Sequence, residues 1–272
     1  MIKDFSKYKR LFVFGCSYTN YKWPTWAHVI ASEIDNVEFH NFARTGSGNL
    51  FISLRVAEAN LRYKFNENDL VVVMWTSFTR EDRWVNGEWI GQGNIYNQSI
   101  YPESWVKEFA DPDFYLIRDF SLLELTKKYL KQLPCTSLML SAWPLDLMEN
   151  NKFVTSFGED VLKSCNNIYK DTISNIPLDL RTFQEKLYNL DKTNPAFHFY
   201  GHTYEVNGEL FADGHPNTFV YREYLEYLGF PLTEKSKIYA DEMTTKLKSC
   251  KTSDDLHKKF DDEYSRLHKG LF

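Results

Sequence analysis

Residues 69–75, Asp-Leu-Val-Val-Val-Met-Trp, constrain the fold more than any other stretch. Six consecutive apolar residues leave no polar face, so the segment reads as a strand covered on both sides, as in a parallel sheet between helices. Residues 10–15, ending in Leu-Phe-Val-Phe-Gly, and residues 136–143, Thr-Ser-Leu-Met-Leu-Ser-Ala-Trp, have the same character. Val-Glu-Phe-His-Asn-Phe-Ala, 37–43, supplies a fourth strand. Between and after them, apolar residues recur at helical spacing over 23–34, 49–65, 119–133 and 217–230, with further helices around 158–175 and 180–189. Alternating strands and helices of this kind predict a three-layer α/β/α domain around a parallel sheet.

Two regions depart from that rhythm. Residues from about 78 to 117 are rich in Trp, Tyr, Asn and Gly and read as an insertion. From 231 to 272 the chain is charged and helical, which predicts a tail packed on the outside of a domain spanning 1–230, or against a partner in an oligomer.

Bulk properties exclude several function classes. A net charge of -5 and a pI near 5.8 argue against a nucleic-acid binder driven by phosphate attraction. No apolar run approaches the roughly 20 residues of a membrane span. Met1 to Arg10 are followed by no apolar core of signal-peptide length, so a cytoplasmic location without membrane contact is expected. Four cysteines at 16, 135, 165 and 250 form no Cys-x-x-Cys pair, which predicts neither a metal site nor a disulfide framework. An aromatic content of 17% leaves rings available for a binding groove.

Ligands of an open parallel sheet bind beyond the carboxyl ends of its strands. That rule collects Gly15-Cys16-Ser17 after the first strand, Ala43-Arg44-Thr45-Gly46-Ser47-Gly48-Asn49 after the second and Trp75-Thr76-Ser77-Phe78-Thr79-Arg80 after the third. A fourth stretch opens the helix near the C-terminus and brings Asp213 and His215. Together these pieces suit acyl transfer. A serine hydroxyl needs a base to take its proton, an imidazole does this best near neutral pH, and a carboxylate fixes the tautomer. A glycine-containing loop and a helix start supply N–H donors for an oxyanion.

The arrangement resembles the SGNH/GDSL hydrolase family. Gly15-Cys16-Ser17 is similar to its serine block, with Cys16 where that family has Asp, and Gly46 is similar to its glycine block. Asp213-Gly214-His215-Pro216-Asn217 is similar to its Asp-x-x-His-Pro block. The resemblance spans residues 10 to about 228 on four short blocks. It implies a flavodoxin-like three-layer fold and ester hydrolysis through an acyl-serine, without metal or organic cofactor. Ser17 would be the nucleophile, His215 the base and Asp213 its orienting partner. The N–H groups of Ser17 and Gly46 would hold the oxyanion. Two departures are plain. The third block holds no asparagine, leaving Thr76 or Ser77 as hydroxyl donors, and Asp213 precedes His215 by two residues rather than three.

Each feature also has a plainer reading. Gly46 and Gly48 serve as turn residues, and Asp213 as a helix cap. Cys16 is an alternative nucleophile. His198 and His202 are four apart, yet lie in a stretch that reads as strand or loop, where structural roles are expected. Arg80 either steers an anionic group or pairs with Glu81 or Asp82. Trp84 and Trp89 are candidate substrate contacts, while Trp84, Trp89, Tyr96, Tyr101 and Trp105 together suit a satellite core. The expected substrate is a small or carbohydrate ester, with O-deacetylation as the preferred reaction. The alternatives are a non-catalytic binding module on the same fold, or an O-acyltransferase using the same residues.

Overall fold

The computed structural model describes residues 2–96, 101–145, 157–188 and 201–265. Four strands form its central sheet: β1 (Arg10–Phe14), β2 (Glu38–Asn41), β3 (Asp69–Trp75) and, after an antiparallel hairpin of β4 (Arg80–Val85) and β5 (Glu88–Asn94), β6 (Thr136–Ser141). They run parallel in the order β2-β1-β3-β6. The chain moves outward from β1 to β2, then crosses back to β3 on the other side of β1. The order therefore reverses at the carboxyl ends of β1 and β3, where such sheets bind ligands.

After their first residues β1 and β3 are apolar because the sheet divides its side chains between two cores. Leu11, Val13, Leu70, Val72, Met74 and Leu140 point to one face. There they meet α1 (Trp26–Glu33), α7 (Leu180–Tyr188) and α8 (Thr218–Tyr227). Phe12, Phe14, Val71, Val73 and Trp75 point to the other. They meet α2 (Asn49–Tyr63), α4 (Pro112–Lys131) and α5 (Glu159–Ile168). This period-two partition is what a strand buried on both faces requires. The fold is a three-layer α/β/α domain with a parallel sheet. Among the described residues no helix is long and apolar enough to cross a membrane.

The region after β3 is built of the β4/β5 hairpin, a short α3 (Glu103–Phe109) and the first turns of α4. The helix expected over 119–133 begins at Pro112, because Asp111 accepts from the Asp113 N–H and proline occupies the first helical position. Ile95, Ala110 and Tyr115 form a small satellite core with Tyr101, Trp105 and Val106 packed against it. The hairpin is bound to the domain by charge as well as by packing. Asp82 is buried and takes the Gly48 and Phe51 N–H groups at 2.7 and 3.0 Å, satisfying the free donors at the start of α2.

A short α6 (Lys170–Ile173) follows α5. A second hairpin, β7 (His202–Val206) and β8 (Glu209–Asp213), precedes α8. The C-terminal helices α9 (Glu234–Lys248) and α10 (Ser253–Ser265) pack back on the domain. Thr244 accepts the Phe219 N–H, and Leu247, Leu256 and Phe260 share a core with Tyr21, Trp23 and Tyr204.

Two outcomes are expected. Asp82→Ala removes the α2 cap and lowers unfolding stability by about 1–2 kcal/mol, read as a lower urea midpoint. Burial pushes the Asp119 carboxyl up to about 6, against the pull of Arg118 and Asn49. A folded value above the unfolded one means the folded state holds the extra proton between the two. Stability from this group therefore falls as pH rises from about 4 to 6 and is flat beyond. Urea melts at pH 4 and 6.5 should show that decline in the wild type, and Asp119→Asn should lack this component of it.

Candidate active site

The loop after β1 is shaped by a glycine with no room for a side chain. A Cβ on Gly15 would lie 2.0 Å from Thr19 Oγ1 and 3.1 Å from the Met74 carbonyl oxygen. The chain then turns tightly, the Cys16 carbonyl accepting the N–H groups of Thr19 and Asn20 at 2.9 and 3.0 Å. The two neighbours part company here. Cys16 is fully buried in the core beneath the sheet, while Ser17 sits in the turn at 6% exposure. Among the described residues neither the hydroxyl nor the N–H of Ser17 makes a hydrogen bond.

Asp213 ends β8, and its hairpin was not foreseen from the sequence. It does not cap α8, since Asn217 does that by accepting the Val220 N–H at 3.1 Å. Instead Asp213 Oδ1 accepts both the N–H and the Nδ1–H of His215, at 3.1 and 2.8 Å. That double acceptance is how a two-residue spacing still delivers an oriented imidazole. The carboxylate closes a local turn with the backbone and catches the ring with the same oxygen. Burial opposes the charge on Asp213, but hydrogen bonds from His215 and Tyr21, with the imidazole's own charge, outweigh it and hold the carboxyl below its usual value. A charged acceptor keeps the proton on Nδ1 and leaves Nε2 as the basic nitrogen. The His215 side chain is 25% exposed.

Contacts across the chain bring this pair to the β1 loop. The His215 ring stacks on Tyr21 at 3.8 Å and 18°, and lies 5.2 Å from the Tyr18 ring, next to Ser17. Trp23 Nε1 donates to the Pro216 carbonyl and Thr218 Oγ1 to the Pro24 carbonyl, both at 2.8 Å. Tyr21 and Tyr204 both donate to Asp213 Oδ2, the latter at 3.2 Å, and Lys22 donates to the Tyr204 hydroxyl. None of Tyr21, Lys22 and Tyr204 was a sequence candidate, since nothing in the local pattern signals that Tyr21 meets Asp213 across 192 residues or Lys22 meets Tyr204 across 182.

The remaining rim residues fall as follows. Gly46 adopts φ +81°, and a Cβ there would meet the Gly91 carbonyl oxygen at 2.6 Å. Its own carbonyl accepts the Gly93 N–H at 2.9 Å, so β5 lies directly on this loop. The Gly46 N–H makes no hydrogen bond among the described residues. Thr76 is fully buried with its hydroxyl unpartnered among the described residues, and Ser77 is partly exposed with its hydroxyl accepting from Arg80 Nε at 3.1 Å. Arg80 is itself buried, its other recorded donation going to the Ser47 carbonyl at 3.0 Å. Glu81 pairs with Arg83 and Arg118.

Asparagines absent from the candidate set hold the rim together. Asn49 accepts the Thr76 N–H and donates to the Thr76 carbonyl and Asp119. Asn20 donates to the Ala43 carbonyl, and Asn41 to the Thr19 carbonyl. Trp89 pairs across the hairpin with Trp84 and packs edge-on to Phe51, whereas Trp84 is 44% exposed. His202 donates from Nε2 to the Cys250 carbonyl at 2.9 Å, a structural bond, and His198 lies outside the described residues. Among the described residues no three His, Cys, Asp or Glu side chains cluster as a metal site would need.

No protein-family model matches the sequence, and no curated protein does. Among solved structures, the crystal structure of protein YxiM from Bacillus subtilis is similar to this chain at 14% identity, with a TM-score of 0.44. The similarity covers 84% of this chain and 59% of that one, so the match spans less than two thirds of that protein's length.

Asp213→Ala leaves two tyrosine hydroxyls and the His215 N–H groups without their acceptor. The expected cost is about 2–4 kcal/mol at pH 7 in a urea melt. The folded carboxyl is held below its unfolded value, so this advantage is present above about pH 4 and disappears as pH falls through the folded value.

Proposed function

We propose that this chain is a serine ester hydrolase of the SGNH/GDSL type, working through an acyl-serine. The observation that carries the reading is the Asp213–His215 pair, 2.8 Å apart, with its imidazole stacked against the loop that holds Ser17. His215 Nε2 takes the Ser17 proton as Oγ attacks the ester carbonyl. The oxyanion is met by the N–H groups of Ser17 and Gly46, which have no other partner among the described residues. Ser77 is favoured over Thr76 as the third donor, because the residue is partly exposed and its hydroxyl accepts from Arg80, leaving its proton free. His215 then protonates the departing alcohol, and water repeats the attack on the acyl-serine with the same base.

A carbohydrate O-acetyl ester is the substrate class that the aromatic hairpin supports. β5 lies on the Gly46 loop, and Trp84 on the same hairpin is 44% exposed, an aromatic ring on which a sugar can stack. Arg80 acts in this reading by bracing Ser47 and Ser77.

Exposure to a fluorophosphonate should add one adduct to the intact mass of the wild type and none to Ser17→Ala or His215→Ala. Hydrolysis of a 4-nitrophenyl acetate or acetylated-sugar substrate should fall about 10⁴-fold or more in both variants. An adduct without hydrolysis, but with acetyl transfer to an added alcohol, would make the protein an acyltransferase on the same residues. A folded wild type that takes no adduct would sink the covalent mechanism and leave a binding module.

A further inference from the structure

The second oxygen of Asp213 is as fully occupied as the first. Oδ1 serves His215, while Oδ2 receives the hydroxyls of Tyr21 and Tyr204, and the Lys22 ammonium donates to the Tyr204 hydroxyl. Lys22 also lies over the rings of Tyr21, Tyr204 and Phe211, at 5.8, 4.9 and 5.9 Å. Tyr204 is 1% exposed and Asp213 3%, so these hydroxyls face a carboxylate that water scarcely reaches.

We propose that Tyr21, Tyr204 and Lys22 are positioning residues that act on His215 through Asp213, fixing the plane of its imidazole and drawing off part of the negative charge that faces it. Two effects follow from the geometry. Three anchored donors, counting both tyrosines and the His215 backbone, stop the carboxylate rotating, so Oδ1 stays in line with Nδ1. Two hydroxyl donors, one backed by a cation, also disperse the charge of Asp213 away from Oδ1. An imidazolium beside it is then stabilised less than by a carboxylate without those donors. Tyr21 adds a stacked ring that holds the imidazole flat against it.

Other titratable groups also bear on this pair. Tyr18 faces His215 from the β1 loop, with Cys16 beside it and Arg80 and Arg181 acting on it from the β3 end and α7. His202 on β7 and Tyr221 on α8 sense Asp213. None of these groups is itself deleted by Tyr21→Phe or Tyr204→Phe, so a change in His215 is assignable to the donor removed.

The inference rests on His215 being the base of the proposed reaction, but its test does not need turnover. The titration of His215 would be followed by NMR of the ring carbons in the wild type, Tyr21→Phe, Tyr204→Phe and Lys22→Met, with the peak assigned by its loss in His215→Gln. Tyr21→Phe keeps the stacked ring and removes only the donor. Its midpoint, and that of Lys22→Met, should rise by about half a unit to one unit. An unchanged far-UV circular dichroism spectrum and urea midpoint serve as the check on the fold. Tyr204 is deeply buried, and should its variant fail to fold, Tyr21→Phe and Lys22→Met carry the test. Unchanged His215 midpoints in those two folded variants would overturn the proposal and reduce the network to a packing device. A raised midpoint in a protein that takes no fluorophosphonate would keep the positioning network and discard the hydrolase.

Discussion

The Asp213 carboxylate is the interaction on which the architecture of this site depends. It is nearly inaccessible to solvent, and a buried charge is tolerable only when its acceptor capacity is filled. Donors from three places fill it: the loop after β1, strand β7 and the turn into α8. The same demand explains why β7 and β8 form a hairpin here. It sets Tyr204 opposite Phe211, diagonal to Asp213, and α10 then covers the hairpin through Leu256 and Phe260. The C-terminal helices are thus part of what makes the carboxylate dry.

Much of the fold was legible because double-sided burial leaves a plain mark. Residues 70–75 have to be apolar at every position, and the strand occupies those six together with Asp69, whose carboxylate pairs with Arg10. Other features were written in the sequence in shorter signals. Asn86-Gly87 and Asn207-Gly208 both take positive φ at each residue, the geometry of a tight hairpin turn, and they mark the two hairpins. Asp111-Pro112 likewise marks the start of α4 seven residues before the periodicity makes it obvious. What no local signal carries is the partnership of Tyr21, Tyr204 and Asn49, since a tyrosine or asparagine that will be buried by distant contacts looks like any other. The tighter Asp213–His215 spacing could be read as a defect from the sequence, and only the shared oxygen explains how it works.

The rim of the sheet is stiff for a reason that is separate from the apolar cores. Loops that follow strands have backbone groups to satisfy, and here asparagine side chains satisfy them by bridging one loop to the next. Asn20 joins the first loop to the second, Asn41 the second to the first, and Asn49 the second to the third. Such cross-links preorganise the N–H groups that remain, which is the condition under which fixed dipoles stabilise a developing charge most.

The contact of Gly46 with Gly91 and Gly93 carries a consequence for how this protein can change. Two backbones meet there with no side chain between them, and next to it Asp82 closes the start of α2. A segment that looks like decoration on a standard core therefore shares a cooperative unit with it. The hairpin cannot be trimmed or exchanged for another as an interchangeable part, because its departure would open a helix end and release a loop of the rim in the same event. Variation in this lineage should accumulate at the hairpin's tip and outer face, with the glycine seam and the buried aspartate keeping pace with the rim itself.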